Sequence, residues 1–229
     1  MEINIYRRNE CYKAKGCCVV IDVLRAFTTA AYAFDAGAKE IILVSTAEEA
    51  FQMHQEDHSL ILMGEVQGRP IQGFHYGNSP DDMHKCTLVG QRIVQRTSAG
   101  TQGVVDCSHA DQLLIASFVV ADATLQRIIQ LSPANVSFIV TGMQNGDEDL
   151  ALAEYLKSKL LQQKVCSSSY LERVSLSPEG KTFRDPNNVE FSHKDLELAL
   201  QIDRFCFAME VEKLDGNLVA KKIFMSPSH

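Results

Sequence analysis

Short apolar runs alternate with segments of helical periodicity along most of the chain, which is the pattern of an α/β fold. Residues 17–21 (CCVVI) are apolar without a break and predict a strand buried on both faces. Residues 26–36 follow as a helix, with Gly37 where a helix-closing glycine belongs. Further strands are predicted over 41–44 and 60–63. Between them, Thr46 and Glu49 stand three apart, as in a capping box that opens a helix. The stretch 64–80 holds four glycines and two prolines, so it reads as a long loop, and loops of that length are usually functional.

Another strand is predicted over 92–95, a helix over 122–131 stopped by Ser132-Pro133, and a strand over 136–140. Residues 147–162 carry Leu150, Ala153, Leu156 and Leu160 on one stripe and read as a helix. The pattern weakens over 166–190. Residues 195–203 then read as helical, and 205–211 and 218–224 as strands around an Asp215-Gly216-Asn217 hairpin turn. No repeat or low-complexity linker interrupts the chain. It reads as one unit over 1–229, with a division into two α/β subdomains left open and no boundary drawn.

The polar residues cluster where strands end. Asp22, Arg25, Thr28 and Thr29 follow the first apolar run, and Gly64 and Glu65 follow 60–63. Thr97, Ser98, Gly100 and Thr101 follow 92–95, and Thr141-Gly142 with Asp147, Glu148 and Asp149 follow 136–140. In parallel α/β sheets, ligands bind at the carboxyl ends of strands, so these clusters are expected to converge on one cleft. Each also has a plain structural reading. Asp22 could cap a helix, with Arg25 at the surface and the threonines packing. The small-residue loop 97–103 could curl its N–H groups toward an anion or be an ordinary turn. Asp22, Glu65, Glu148 and Asp149 offer hard oxygen ligands for Mg²⁺, yet acids in a first helical turn also simply complement the dipole.

Composition narrows the function classes. The 229 residues are 45% hydrophobic and 22% charged, which supports a packed globular core. The net charge of -7 and the lack of a basic run argue against nucleic acid as a partner. The run Leu113–Ala121 is too short to span a bilayer, and MEINIYRRNE has no apolar stretch of the signal-peptide kind. Seven scattered cysteines without a CxxC pair argue against zinc knuckles and suit reduced thiols in a cytoplasmic protein.

Several familiar motifs fail. His54 is followed by Gln55, so the His54/His58 pair is not HExxH, and neither His75 nor His84 has a ligand-like partner nearby. Cys86 and Arg92 have a thiol-phosphatase spacing, but the segment between them runs into an apolar strand and cannot wrap a phosphate. Asp22-Val-Leu lacks the Asp-x-Asp of aspartyl-phosphate phosphatases, and the 97–103 loop lacks a Walker A ending. No GxGxxG follows the first strand, which argues against a dinucleotide-binding oxidoreductase.

Five segments together resemble the 2-phosphosulfolactate phosphatases, the ComB-like proteins. They are VVIDVLRAFTTAAYAFDAGAKEI (19–41), GEVQGRPIQGFHYGNSP (64–80), RTSAGTQG (96–103), EDLALA (148–153) and DRFCFAMEV (203–211), in the family's order. The resemblance implies an α/β protein with a mixed sheet, flanking helices and a cleft at strand carboxyl ends. It implies a Mg²⁺-dependent phosphomonoesterase that hydrolyses 2-phospho-3-sulfolactate, an ester on the route to coenzyme M, or a related 2-hydroxy-acid phosphate. Asp22, Arg25, Glu65 and Asp149 are then the expected catalytic residues. Asp22, Glu65, Glu148 and Asp149 are the expected metal ligands. Thr28, Thr29, His75, Asn78, Ser79, Thr97, Ser98, Gly100 and Thr101 are the expected substrate contacts. The expected partner is a small anionic phosphate ester, with no nucleic acid or membrane, in a monomer or a homodimer. His75 stands where many members carry aspartate, Val66 where arginine is common, and Ser98-Ala99 where Thr-Asn is usual. Those departures keep a competing reading open, a non-catalytic anion- or phosphate-binding protein that retains the cleft.

Overall fold

Apolar runs at 17–21, 40–43, 61–63, 92–94, 112–116 and 136–140 pair into one sheet, as the alternation of strand and helix patterns predicts. The computed structural model describes residues 1–142, 146–188 and 190–226. In chain order its elements begin with β1 (Glu2–Arg7), β2 (Cys17–Ile21), α1 (Ala26–Asp35), β3 (Glu40–Leu43) and α2 (Ala47–Glu56). They continue with β4 (Ile61–Val66), β5 (Arg69–Pro70), α3 (Pro80–Lys85), β6 (Arg92–Arg96) and α4 (Gly100–Asp106). Next come β7 (Gln112–Ala116), α5 (Ala121–Leu131), β8 (Asn135–Val140) and α6 (Asp147–Leu160). Last are α7 (Ser167–Leu176), α8 (Pro178–Arg184), α9 (His193–Ala199), β9 (Phe207–Leu214) and β10 (Asn217–Phe224).

The ten strands lie in the order β1-β8-β2-β7-β9-β10-β3-β6-β4-β5. One parallel block is β1-β8-β2-β7 and another is β3-β6-β4. The β9–β10 hairpin joins them and is antiparallel to both. Its turn is Asp215-Gly216 with positive φ at both residues (49° and 84°), the conformation that matches strand twist in a two-residue hairpin. The sheet is therefore mixed, and its last two strands in sequence close its middle.

Helix α1 sits on one face with Ala26–Phe34 all buried. Its core cluster takes residues from both parallel blocks and from the hairpin, including Val20, Ile41, Met63, Ile93, Ile115, Ile139 and Met209. A sheet this wide reaches one helix from both sides because strand twist of roughly 20–25° per step accumulates across it. Helices α5 and α6 cover the other face behind β2, β7 and β8, and α2 covers it behind β3, β4 and β6.

Several elements differ from the sequence expectation. β1 (EINIYR) alternates with period two but is short, and it forms because β8 offers it a parallel edge. β7 lies inside the run 113–121. The loop expected over 97–103 is cut short, since α4 begins at Gly100. Two glycines disfavour a helix, but their missing side chains let α4 dock. A Cβ on Gly103 would come within 2.7 Å of Thr141 and 2.8 Å of Val20. Ser79 caps α3 and Ser177 caps α8, two short helices opened by prolines that the sequence pattern did not announce. The helix expected at 195–203 starts at His193 and ends at Ala199.

Candidate active site

Side chains alternate across a strand, so the residue two beyond a core position points to the same face. Val20, Met63, Ile93, Ile115 and Ile139 all belong to the core against α1. Two residues beyond them stand Asp22, Glu65, Gln95, Ser117 and Thr141, and all five are buried. The α1-side core is thus rimmed by polar groups on five strands, of which Gln95 is level with Met63 and one step deeper than Glu65. Ile21 pairs with both Ala116 and Val140, which sets Asp22, Ser117 and Thr141 abreast.

Asp22 is the centre of this rim. Its Oδ1 accepts the Ala26 N–H at 2.9 Å, so it caps the entry to α1. A Cβ on Gly100 would lie 2.8 Å from Asp22 Oδ2 and 2.8 Å from Ala26 Cβ, so only glycine lets the start of α4 approach. Burial, with the nearby charge of Glu65 adding to it, pushes the Asp22 carboxyl up to about 6. Hydrogen bonds from Ala26, Gly100 and Thr141 oppose that rise.

Glu65 accepts the Gly68 N–H, the Ser98 N–H and the Ser98 hydroxyl. Ser98 also accepts the Gln67 N–H at 2.8 Å, so the turn after β4 and the turn after β6 are stitched together. Arg96 donates to the Glu65 backbone carbonyl at 2.7 Å rather than to its carboxylate. Among the described residues, no lysine or arginine forms an ion pair with Asp22, Glu65, Glu148 or Asp149.

Asp149 lies behind the rim as a backbone clamp. Oδ1 accepts the Val23 N–H at 2.7 Å, and Oδ2 accepts from Thr141 N–H, Thr141 hydroxyl and Gly142 N–H at 3.1, 3.3 and 2.9 Å. Burial and the charge of Asp22 hold its carboxyl well above the usual range. Glu148 faces the neighbourhood of Glu179, and burial followed by the charges of Asp149 and Glu179 pushes it up to about 10.

Arg25 is buried, not at the surface, with 6% exposure. Its guanidinium bonds Asp195 through Nη1 and the Gly68 carbonyl through Nη2, between the rings of Phe183 and Phe191 at 5.4 and 5.2 Å. Asp195 also accepts the Ser79 hydroxyl at 2.7 Å and the Asp81 N–H at 3.1 Å. Asn78 is buried beside this tie with its side-chain oxygen unpartnered.

Other expected contacts have their polar atoms engaged internally. Thr28 donates to the Val23 carbonyl at 2.7 Å and Thr29 to the Arg25 carbonyl at 2.9 Å, both in buried positions. Thr97 and Thr101 bond each other's backbone N–H through their hydroxyls. His75 is not brought to the rim. Its Nδ1 accepts the Leu62 N–H at 2.9 Å near the start of β4, and its ring lies 5.1 Å from His54. Burial, then the charge of His54, lowers its pKa, which favours the neutral ring. Cys86 and Arg92 do not form a phosphate loop, because Arg92 pairs with Glu40 at 2.7 Å.

Asp195, Gln95 and Ser117 were not among the expected residues. Gln95 carried a signal, a polar residue inside an apolar strand. Asp195 carried none, because its partners lie far away in sequence. A cavity of about 450 Å³ opens beside Thr141 and Gly142 and is lined by Arg7, Arg8 and Asp106. Another of about 580 Å³ lies at the amino ends of β2 and β8 and holds none of the expected residues.

Among the described residues, no three His, Cys, Asp or Glu side chains converge as a metal cage. Mg²⁺ needs less, one or two carboxylates with retained waters. Asp22 and Glu65 fit that requirement, being mutually repulsive, buried and unmatched by a side-chain cation. Asp149, with four donors on its two oxygens, fits it less well.

Comparison with known proteins agrees with the motif resemblance. The family model described as 2-phosphosulpholactate phosphatase matches residues 4–213. A Bacillus subtilis protein named probable 2-phosphosulfolactate phosphatase is 35% identical over 202 residues, covering 87% of this chain and 88% of the relative. Relatives of the same name from Clostridium perfringens strain SM101 and Synechocystis are 32% and 31% identical. They cover 69% and 72% of this chain, and 66% and 71% of their own lengths. No helix among the described residues is long and apolar enough to cross a membrane.

Proposed function

The chain belongs to the 2-phosphosulpholactate phosphatase family, and from that premise we propose that it is a Mg²⁺-dependent phosphomonoesterase acting on 2-phospho-3-sulfolactate or a related 2-hydroxy-acid phosphate. The observation that carries the reading is the rim itself. Two buried carboxylates, Asp22 and Glu65, meet at strand ends without a side-chain cation.

Asp22 and Glu65 would hold the metal. When bound, Mg²⁺ supplies charge neutralisation at a phosphate oxygen. The chain's own residues do the rest. Without the metal, burial raises the Asp22 carboxyl to about 6, so a proton competes with the cation for it and cation binding strengthens as pH rises. Ser117 is buried with an unpartnered hydroxyl on the same face, available to donate to a phosphate oxygen. Gly68 and Ser98 orient Glu65 through their N–H groups. Asp195 and the two phenylalanines fix Arg25, so this cation is preorganised rather than mobile.

Phosphate release from 2-phospho-3-sulfolactate, and from p-nitrophenyl phosphate, tests the reading. Turnover is expected with Mg²⁺ and not in EDTA. Full activity in EDTA refutes the metal requirement. Phosphate binding without turnover under either condition supports the non-catalytic anion-binding alternative.

A further inference from the structure

Few buried polar side-chain atoms of the described residues lack a partner, and one of them lies on the rim as a pure acceptor. Gln95 is 0% exposed, and its Oε1 meets no donor. The amide cannot be turned over to cure this. Its Nε2 donates to the Ala26 carbonyl at 3.1 Å, and a flip would set two carbonyl oxygens against each other. Leaving such an oxygen buried and unpaired carries the desolvation penalty of the group with nothing to offset it. A polar atom kept so in a native interior is met by a bound water or ion or serves the function of the site.

Placement says which ligand. Gln95 follows the core residue Ile93 on the α1 face and pairs with Met63, one step below Glu65 on the same face of the sheet. Gln95 is also tied to Ala26, the residue whose N–H binds Asp22 Oδ1. A phosphate, sulfonate or carboxylate carries only acceptor oxygens and cannot satisfy another acceptor. A hard cation can, because amide oxygens join carboxylates in such shells.

We propose that Gln95 is a further residue of the cation site, its side-chain oxygen supplying a neutral ligand beside the carboxylates of Asp22 and Glu65. This rests on the reading of the rim as a divalent-cation site. A neutral third oxygen suits that place, since it adds a ligand without adding a further negative charge to two buried carboxylates.

The test is calorimetric titration of the full chain with Mn²⁺ alone, without substrate, for the wild type, Gln95→Met and Gln95→Glu. Gln95→Met keeps the shape of the side chain and removes the oxygen. It should weaken Mn²⁺ binding about tenfold or more, with circular dichroism unchanged. Gln95→Glu keeps an oxygen there and should bind Mn²⁺ more tightly than Gln95→Met and close to the wild type, a comparison that keeps the inference testable if Gln95→Met fails to fold. Equal Mn²⁺ affinity in the wild type and Gln95→Met overturns the inference, and so does a folded Gln95→Glu that has lost the wild type's Mn²⁺ binding. A wild type that binds no Mn²⁺ overturns it as well. Phosphate release, measured separately, keeps the two ideas apart. Gln95-dependent Mn²⁺ binding without turnover would sink the phosphatase reading and uphold the cation site. Turnover with a Gln95-independent cation would do the reverse.

Discussion

Arg25 ties the segment around Gly68 to α9 beside the candidate site. Its planar fork bonds Asp195 and the Gly68 carbonyl at once, and Gly68 in turn donates to Glu65. Arg25→Lys keeps the charge but loses the fork and the stacking between Phe183 and Phe191. We expect kcat/KM to fall roughly tenfold or more and the unfolding free energy to fall by about 1–3 kcal/mol, read by steady-state kinetics and urea titration. Unchanged values in both would show that the tie is idle. The buried acids predict a pH trend. Asp22 is raised from 3.8 to about 6, and Glu148 from 4.5 to about 10, both first by burial. Raised acids bind protons in the folded state that the unfolded chain releases. Their stability is full below the unfolded values and is lost as pH rises through the folded ones. Without added metal, the thermal midpoint should therefore fall as pH goes from about 5 to about 8, with Asp22 alone accounting for about 1–1.5 kcal/mol over that range. A midpoint that climbs over that range would contradict these protonation states.

Among the elements, α4 is the sharpest case of packing overriding propensity. Its two glycines let it press against β2, Thr141 and the Asp22 carboxylate. Gly103→Ala should overpack that contact and cost about 1–3 kcal/mol, measurable by chemical denaturation. Gly216→Ala is a useful contrast, because a Cβ there meets nothing within 4 Å and only its positive φ resists substitution. The element around Cys86 points the other way. Cys86 closes α3 through its own backbone, and the Arg92 of its chance motif is spent on Glu40. Cys86→Ser should keep most of the activity, and loss of turnover in a well-folded Cys86→Ser would revive a thiol mechanism.

For the whole molecule, the critical piece is the β9–β10 hairpin. It stands between β7 and β3, so among the described residues the two parallel blocks are joined within the sheet only through β9 and β10. Deleting residues 207–224 should leave two unpaired inner edges and an uncovered part of the α1 core. The expected outcome is aggregation or loss of a cooperative unfolding transition, checked by gel filtration and calorimetry. A monomer with a cooperative transition would show that one block folds without the other.

Local pattern carried much of this protein. Mostly apolar runs marked β2, β6 and β8, because strands buried on both faces leave few polar positions within them, here Gln95 in β6 and Ser137 in β8. Thr46 capping α2 and Asp215-Gly216 turning the hairpin were legible, since each acts on backbone a few residues away. Asp22 and Glu65 were legible from their places just past apolar strands and from the motifs around them. Tertiary structure decided what depends on distant partners. Arg25 and Asp195 are 170 residues apart, and nothing near either one announces the pair. His75 looked like a cleft residue from the glycines beside it, yet chain direction carried it to Leu62 and His54. Whether α4 was loop or helix, and where the last two strands entered the sheet, hung on close packing against surfaces that exist only once the chain has folded.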